Sequence, residues 1–329
     1  MAGLAEDAPG VPREESGERI RDNFIVKEAN TAGIYAVRLN LNGEPLVVVV
    51  DEWFPFYIDH HGNEQFAFSR NKTGSNEMWV QILEKAWAKV CGSYEQSENG
   101  TCLEAFNNID ATPCREFYMK DIEKNDLKEY LWDILREAER KRYVVTCDVD
   151  STQRGKPDVI KDFGLCDFHS YSLMKVAAVP LKKDNPRSQK RFMLQLRNPW
   201  GTKEWLGPWS DYSKTWERYK YPDEKLRRRE DKEDRPVVSA GTLGAADDGR
   251  FWITFKDLFY FFNKITVNFT NDKYYVTTLA DKGIDEKFGV VRMKIPEKTK
   301  MLFVSVFQMN QKFFDPEEDI TTNSEEATI

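Results

Sequence analysis

Long apolar runs are missing from this sequence. The longest aliphatic stretch, Leu46 to Val50, is five residues, where a membrane-spanning helix needs about 20, so no membrane span is expected. The amino terminus starts Met1-Ala2-Gly3 and continues acidic. Without a basic region or an apolar stretch it does not read as a signal peptide. A cationic excess is missing too. Lys plus Arg is 48 against 55 for Asp plus Glu, a net charge of −7, and the isoelectric point is about 5.3. That argues against a general nucleic-acid binder. Cysteine is scarce, with five residues (Cys91, Cys102, Cys114, Cys147 and Cys166) and no CxxC pair. An odd, widely spaced set reads as reduced thiols in the cytosol, not as a disulfide frame or a zinc site. On that reading the chain is cytoplasmic, and the sequons at Asn71, Asn99 and Asn268 carry no glycan. What the chain does have is apolar content, 40% hydrophobic and 13% aromatic. A sizeable core follows, and 329 residues make about two domains.

Patterning supplies a coarse map. Residues 1–22 are polar with Pro9 and Pro12, a flexible leader. Order is expected from Phe24. Two apolar runs, 34–39 and 45–50, flank Asn42-Gly43, a hairpin signature. Trp79, Ile82, Leu83, Ala86, Trp87 and Val90 share a helical face. Ser75 and Asn76 are candidate N-caps there, and Gly92 a C-cap. A second helix is expected from Asn125 to Lys141 with Leu127, Leu131, Ile134 and Leu135 inward. Strands are expected at 143–147, 169–181, 190–197, 251–255 and 272–279. Residues 220–236 carry mixed charge and read as a solvated insertion. After 271 short alternating segments suggest the start of a β-sandwich, and residues 314–329 an acidic, disordered tail. His60 and His61 are expected to face solvent, since no third metal ligand is near them in sequence.

One constellation carries chemistry. His169 stands at the start of an expected strand. Asn198 follows a second strand, 29 residues later, just before Pro199-Trp200-Gly201. Two paired strands can hold an imidazole and a side-chain amide at one edge. The amide then fixes the tautomer of a base that takes a proton from a thiol. Spacing alone favours a plainer reading, a histidine satisfied in the core and an asparagine in a turn.

The local words point further. Asn198-Pro199-Trp200-Gly201, Glu204-Trp205 and Gly207-Pro208-Trp209-Ser210-Asp211 resemble the calpain signature around its catalytic Asn. Asp247-Asp248-Gly249-Arg250-Phe251-Trp252 is similar to a later calpain word. Val48-Val49-Val50-Asp51-Glu52 and Leu83-Glu84-Lys85-Ala86-Trp87-Ala88-Lys89 resemble two earlier ones. His169-Ser170-Tyr171-Ser172 resembles a fifth, with Phe168 where the family has Gly.

The resemblance implies an α+β, papain-like protease core. Residues 23–111 would be the rear of its first lobe. Residues 112–268 would be a second lobe of antiparallel sheet or barrel with flanking helices, and 271–313 part of a β-sandwich. It implies calcium-dependent limited cleavage of intracellular proteins, with His169 as base, Asn198 as orienter and Trp200 shielding their hydrogen bond. Calpains carry the nucleophile in a Gly-x-Cys-Trp word ahead of the hairpin. Here 33 residues precede it, without Cys or Gln. The chain is therefore expected to be inactive alone, and a missing first-lobe segment would have to come from elsewhere. The alternative is a non-catalytic regulatory or binding module whose partner is a protein. The resemblance further implies a calcium site at Glu204, Asp211, Asp248 and the Ala246 carbonyl, weakened because Arg250 stands where the family has an acid.

Overall fold

A computed structural model describes residues 18–41, 43–69, 77–98, 100–154, 157–181, 189–211, 213–219, 226, 248–271, 274 and 294–305. β1 (Ile34–Leu41) and β2 (Glu44–Asp51) form the expected antiparallel hairpin, and Val37, Leu39, Val48 and Val50 are its inward residues. A small ribbon, β3 (Phe56–Ile58) with β4 (Glu64–Phe66), follows. Helix α1 (Trp79–Cys91) lays Ile82, Leu83 and Ala86 on the hairpin. Gly92 ends it at φ 97°, donating to the Lys89 carbonyl, a conformation that suits glycine. Its N-cap is Met78, without a side-chain bond. Ser75 and Asn76 lie outside the described residues.

Helix α2 (Cys102–Ile109) closes this first cluster with Phe106 and Ile109. Thr101 caps it, accepting from the Glu104 N–H. A one-turn helix, Glu18–Arg21, adds Ile20, only 5% exposed, to the same core. The leader expected over 1–22 is thus ordered at its end, because an apolar side chain there finds a place in the core. Residues 1–17 lie outside the described set.

The second cluster is built on a six-stranded antiparallel sheet. Its members are β5 (Cys114–Tyr118), β6 (Val144–Val149), β7 (His169–Pro180), β8 (Lys190–Arg197), β9 (Arg250–Thr254) and β10 (Lys264–Asn268), in the order β5-β10-β6-β7-β8-β9. The helix expected over 125–141 is α4 (Lys128–Lys141), which starts three residues later, and a separate short helix, α3 (Met119–Lys124), precedes it. Asn125, the expected start of that helix, is instead the C-cap of α3. Leu127, 40% exposed, becomes the α4 N-cap, while Leu131, Leu135 and Ala138 are buried. α5 (Phe255–Phe261) runs directly out of β9 and packs Leu258, Phe259 and Phe261 into the core.

The architecture is α+β, as expected. Cys102 and Cys114 open α2 and β5 and are partly covered. Most of the residues expected to form sandwich strands after 271 lie outside the described set, and 294–305, which are described, form no strand. The 220–236 insertion lies outside it too, except for buried Leu226.

Candidate active site

Strand register brings the site together. β7 and β8 pair antiparallel, Ser172 with Arg197 and Leu173 with Leu196. Continued by three residues, that register sets His169 opposite position 200, with position 198 diagonal to it on the same face. Such diagonal neighbours lie within side-chain reach. Accordingly, His169 Nε2 is 2.8 Å from Asn198 Oδ1. The Trp200 and His169 ring centroids are 4.3 Å apart at 48°. Trp200 is 48% exposed, so it walls one side of the pair and leaves its own outer face open.

Asn198 is fully buried and its amide has one orientation. Nδ2 donates to the Thr202 carbonyl at 2.7 Å and the Lys203 carbonyl at 3.1 Å. Oδ1 therefore faces His169 and also accepts the Trp200 N–H at 3.0 Å. A carbonyl oxygen can only accept, so His169 must carry its proton on Nε2. Nδ1 is left with the lone pair of a base. Burial holds the imidazole below its ordinary value; the Asn198 bond and the Asp148 charge push the other way. The group is thus biased to the neutral form that accepts a proton.

The loop beneath is braced. The Asn198 N–H donates to the Gly249 carbonyl at 2.8 Å, and the Gly249 N–H donates to Glu204 Oε1 at 2.8 Å. Gly249 has φ 83°, and a Cβ there would lie 2.5 Å from the Asn198 carbonyl oxygen. Only glycine fits. Ahead of the base, Asp167 accepts the Ser151 N–H at 2.8 Å and the Phe168 N–H at 3.0 Å. Phe168 has φ 49° and is 70% exposed, an aromatic residue in a backbone conformation that favours glycine. The hydrogen bonds to the Gly249, Thr202 and Lys203 carbonyls and to the Asp167 carboxylate were not read from the sequence. The Gly at 249 was the one available signal.

The thiols are placed less favourably. Side chains alternate across a strand, so Ser170 points to the face opposite His169. Cys102 Sγ sits against that face, 3.2 Å from Ser170 Oγ and 3.6 Å from Asp148 Oδ1. Burial and the Asp148 charge raise its pKa. Cys147 is fully buried, and burial raises its pKa; burial also raises that of the half-buried Cys114. Cys91 is buried in α1. Cys166 precedes the base on the same segment, its N–H donating to the Tyr171 hydroxyl at 2.8 Å.

The acids named for calcium are partly engaged. Glu204 Oε1 holds the Gly249 N–H, and Asp248 Oδ1 accepts the Arg250 N–H at 2.9 Å. Ala246 lies outside the described residues. Among the described residues no three acids, histidines or cysteines converge on a metal position. No helix among them is long and apolar enough to cross a membrane.

A profile described as calpain family cysteine protease matches residues 17–268. The chain belongs to the calpain family. Among similar calpains, the calpain-type cysteine protease ADL1 of Oryza sativa is 33% identical over 253 residues, 76% of this chain and 10% of that protein. Human calpain-9 is 31% identical over 242 residues, 73% of this chain and 31% of the relative. Drosophila calpain-A is 31% identical over 245 residues, 73% of this chain and 26% of the relative. The chain spans a third or less of the length of each of these calpains.

Proposed function

We propose that the chain carries the proton-transfer half of a calpain-type cysteine endopeptidase. The observation that supports this most is the 2.8 Å His169–Asn198 bond, which leaves Nδ1 as the acceptor. In such a reaction Nδ1 takes the proton from a thiol, the thiolate attacks the peptide carbonyl, and the imidazolium returns the proton to the leaving amine. Asn198 orients the ring without adding a charge. Trp200 limits water around the bond.

The chain alone cleaves no peptide on this reading, because its own thiols lie on the wrong face, in the core or on the base's own segment. The nucleophile comes with a further first-lobe segment. Support comes from the apolar surface that the first cluster leaves open: Val47, Val49, Trp53, Phe56 and Ile58 are 47 to 82% exposed. Isolated soluble domains rarely leave so much apolar surface uncovered without a partner. Five free thiols support a reducing, cytoplasmic setting.

Calcium binds weakly or not at all at the Glu204, Asp211 and Asp248 loops, since Arg250 places a cation beside them. Two features favour a second reading, a protein-binding module without catalysis: the unfavourable backbone of Phe168 and the cation at Arg250. Incubating the purified chain with casein tests the main reading. No cleavage is expected, and cleavage abolished by His169→Ala would overturn it. Calorimetric titration with calcium tests the metal: submicromolar affinity would contradict the assignment.

A further inference from the structure

His169, Asn198 and Arg250 sit at one end of β7, β8 and β9. The other end of the sheet, where β8 begins and β9 gives way to α5, borders a groove of about 950 Å³. Its floor is aromatic. Trp132, Phe255 and Phe259 are buried there, with the Trp132 ring 5.2 Å from Phe255 and 4.7 Å from Phe192. Phe192 and Tyr260 are 42% and 47% exposed along it.

The two rims differ in charge. On the α4 side Lys128 pairs with Glu123 at 3.3 Å and Arg136 with Asp133 at 3.6 Å. On the β8–α5 side stand Lys190, Arg191 and Lys256. Among the described residues none of these three pairs with an acid, and Arg191 Nε is shielded from solvent with no partner among them. Desolvating a donor without satisfying it is costly. The groove therefore asks for an occupant with apolar anchors and several carboxylates.

We propose that this groove docks the chain's own segment 313–320, Phe313-Phe314-Asp315-Pro316-Glu317-Glu318-Asp319-Ile320. Two adjacent aromatics suit the floor, and four acids suit the cationic rim. The reach is sufficient. The described chain before it runs along the carboxyl end of α4: Lys141 Nζ is 3.5 Å from Met301 Sδ, and Phe303 stacks on Phe269 at 4.6 Å. Eight residues from Ser305 to Phe313 extend about 26–29 Å. The whole of α4 is about 21 Å long.

The test uses the full chain and needs no peptidase activity from it. Glutamyl endopeptidase cuts after Glu317 and Glu318, and its initial rate there reports whether the segment is held. Lys190→Glu/Lys256→Glu changes two exposed lysines and leaves the core intact. Cleavage is expected to be at least tenfold faster in that variant, in Phe313→Ser/Phe314→Ser, and in the unaltered chain at 1 M salt. Equal rates in the unaltered chain and both variants would overturn the proposal. Protection that grows with protein concentration would overturn it as well, because the occupant would then be the segment of a second copy.

Discussion

Replacing Asn198 by Ala separates a structural asparagine from one that organises the base. The side chain is fully buried and makes four hydrogen bonds, to His169, the Trp200 N–H and the Thr202 and Lys203 carbonyls. A typical intramolecular hydrogen bond contributes about 1 kcal/mol net, and a group left buried without a partner costs about 1–3 kcal/mol. Trp200 and Lys203 are exposed and Thr202 is only half-buried, so water can reach part of what the alanine abandons. The two carbonyls therefore count at the low end. The sum is roughly 2–4 kcal/mol, read as a lower urea midpoint at unchanged slope.

Stability alone would not single out the base. The same sample therefore serves for imidazole NMR, which is tractable because the chain has three histidines. With Oδ1 gone, nothing holds the proton on His169 Nε2, and its ring nitrogens should shift towards the averaged values of a free imidazole. A loss under about 1 kcal/mol with the His169 nitrogen shifts unchanged would refute the bonding described here. A loss of the expected size with unchanged shifts would leave Asn198 as a loop brace only.

Three further outcomes follow from the site. His169 should titrate below the ordinary value of about 6.5, since burial lowers it. The unfolded chain then binds the proton first, so stability present above pH 6.5 is lost as pH falls towards the folded value; His169→Gln should flatten that slope in denaturation measured between pH 7 and 5. Gly249→Ala should cost roughly 2–4 kcal/mol, from positive φ and a Cβ pressed on the Asn198 carbonyl, and an unchanged melting curve would contradict the geometry. Phe168→Gly should change stability by less than about 1 kcal/mol, because relief of the left-handed backbone offsets glycine's entropy and the ring is mostly exposed; a loss above about 2 kcal/mol would mean the ring is packed.

How much of this was legible in the sequence depends on where the information lies. The hairpin announced itself through Asn42-Gly43, and α1 through its apolar period. β7 and β8 lie within one residue of expectation, because their apolar runs are bounded by charge and leave little choice. β10 was missed although Lys264-Ile265-Thr266-Val267-Asn268 alternates plainly; five residues after a phenylalanine-rich helix gave no turn to mark them off. α2 was missed despite Thr101 and Glu104 standing at capping-box spacing, since residues around Asn99 and Gly100 read as loop. The break at Asn125 was taken for a helix start when it is the end of α3. A capping residue signals a boundary, not its direction. The pairing of His169 with Asn198 needed the words around them, because spacing alone fits many turns. The carbonyls that orient the amide were out of reach, since backbone atoms leave no mark in a sequence.

The site's architecture explains why base and orienter can persist whether or not a thiol accompanies them. His169 and Asn198 belong to adjacent strands of one sheet, and everything that aims them is local to it: the β7–β8 register, the Gly249 carbonyl, the Thr202 and Lys203 carbonyls, and Asp167 bridging to Ser151. No residue of the first cluster takes part in these contacts. The two clusters meet on the reverse face, where Cys102 touches Ser170 and Asp148. The orientation of His169 thus rests on contacts within the second cluster, and on the proposed reading a nucleophile meets an imidazole already in its reactive tautomer.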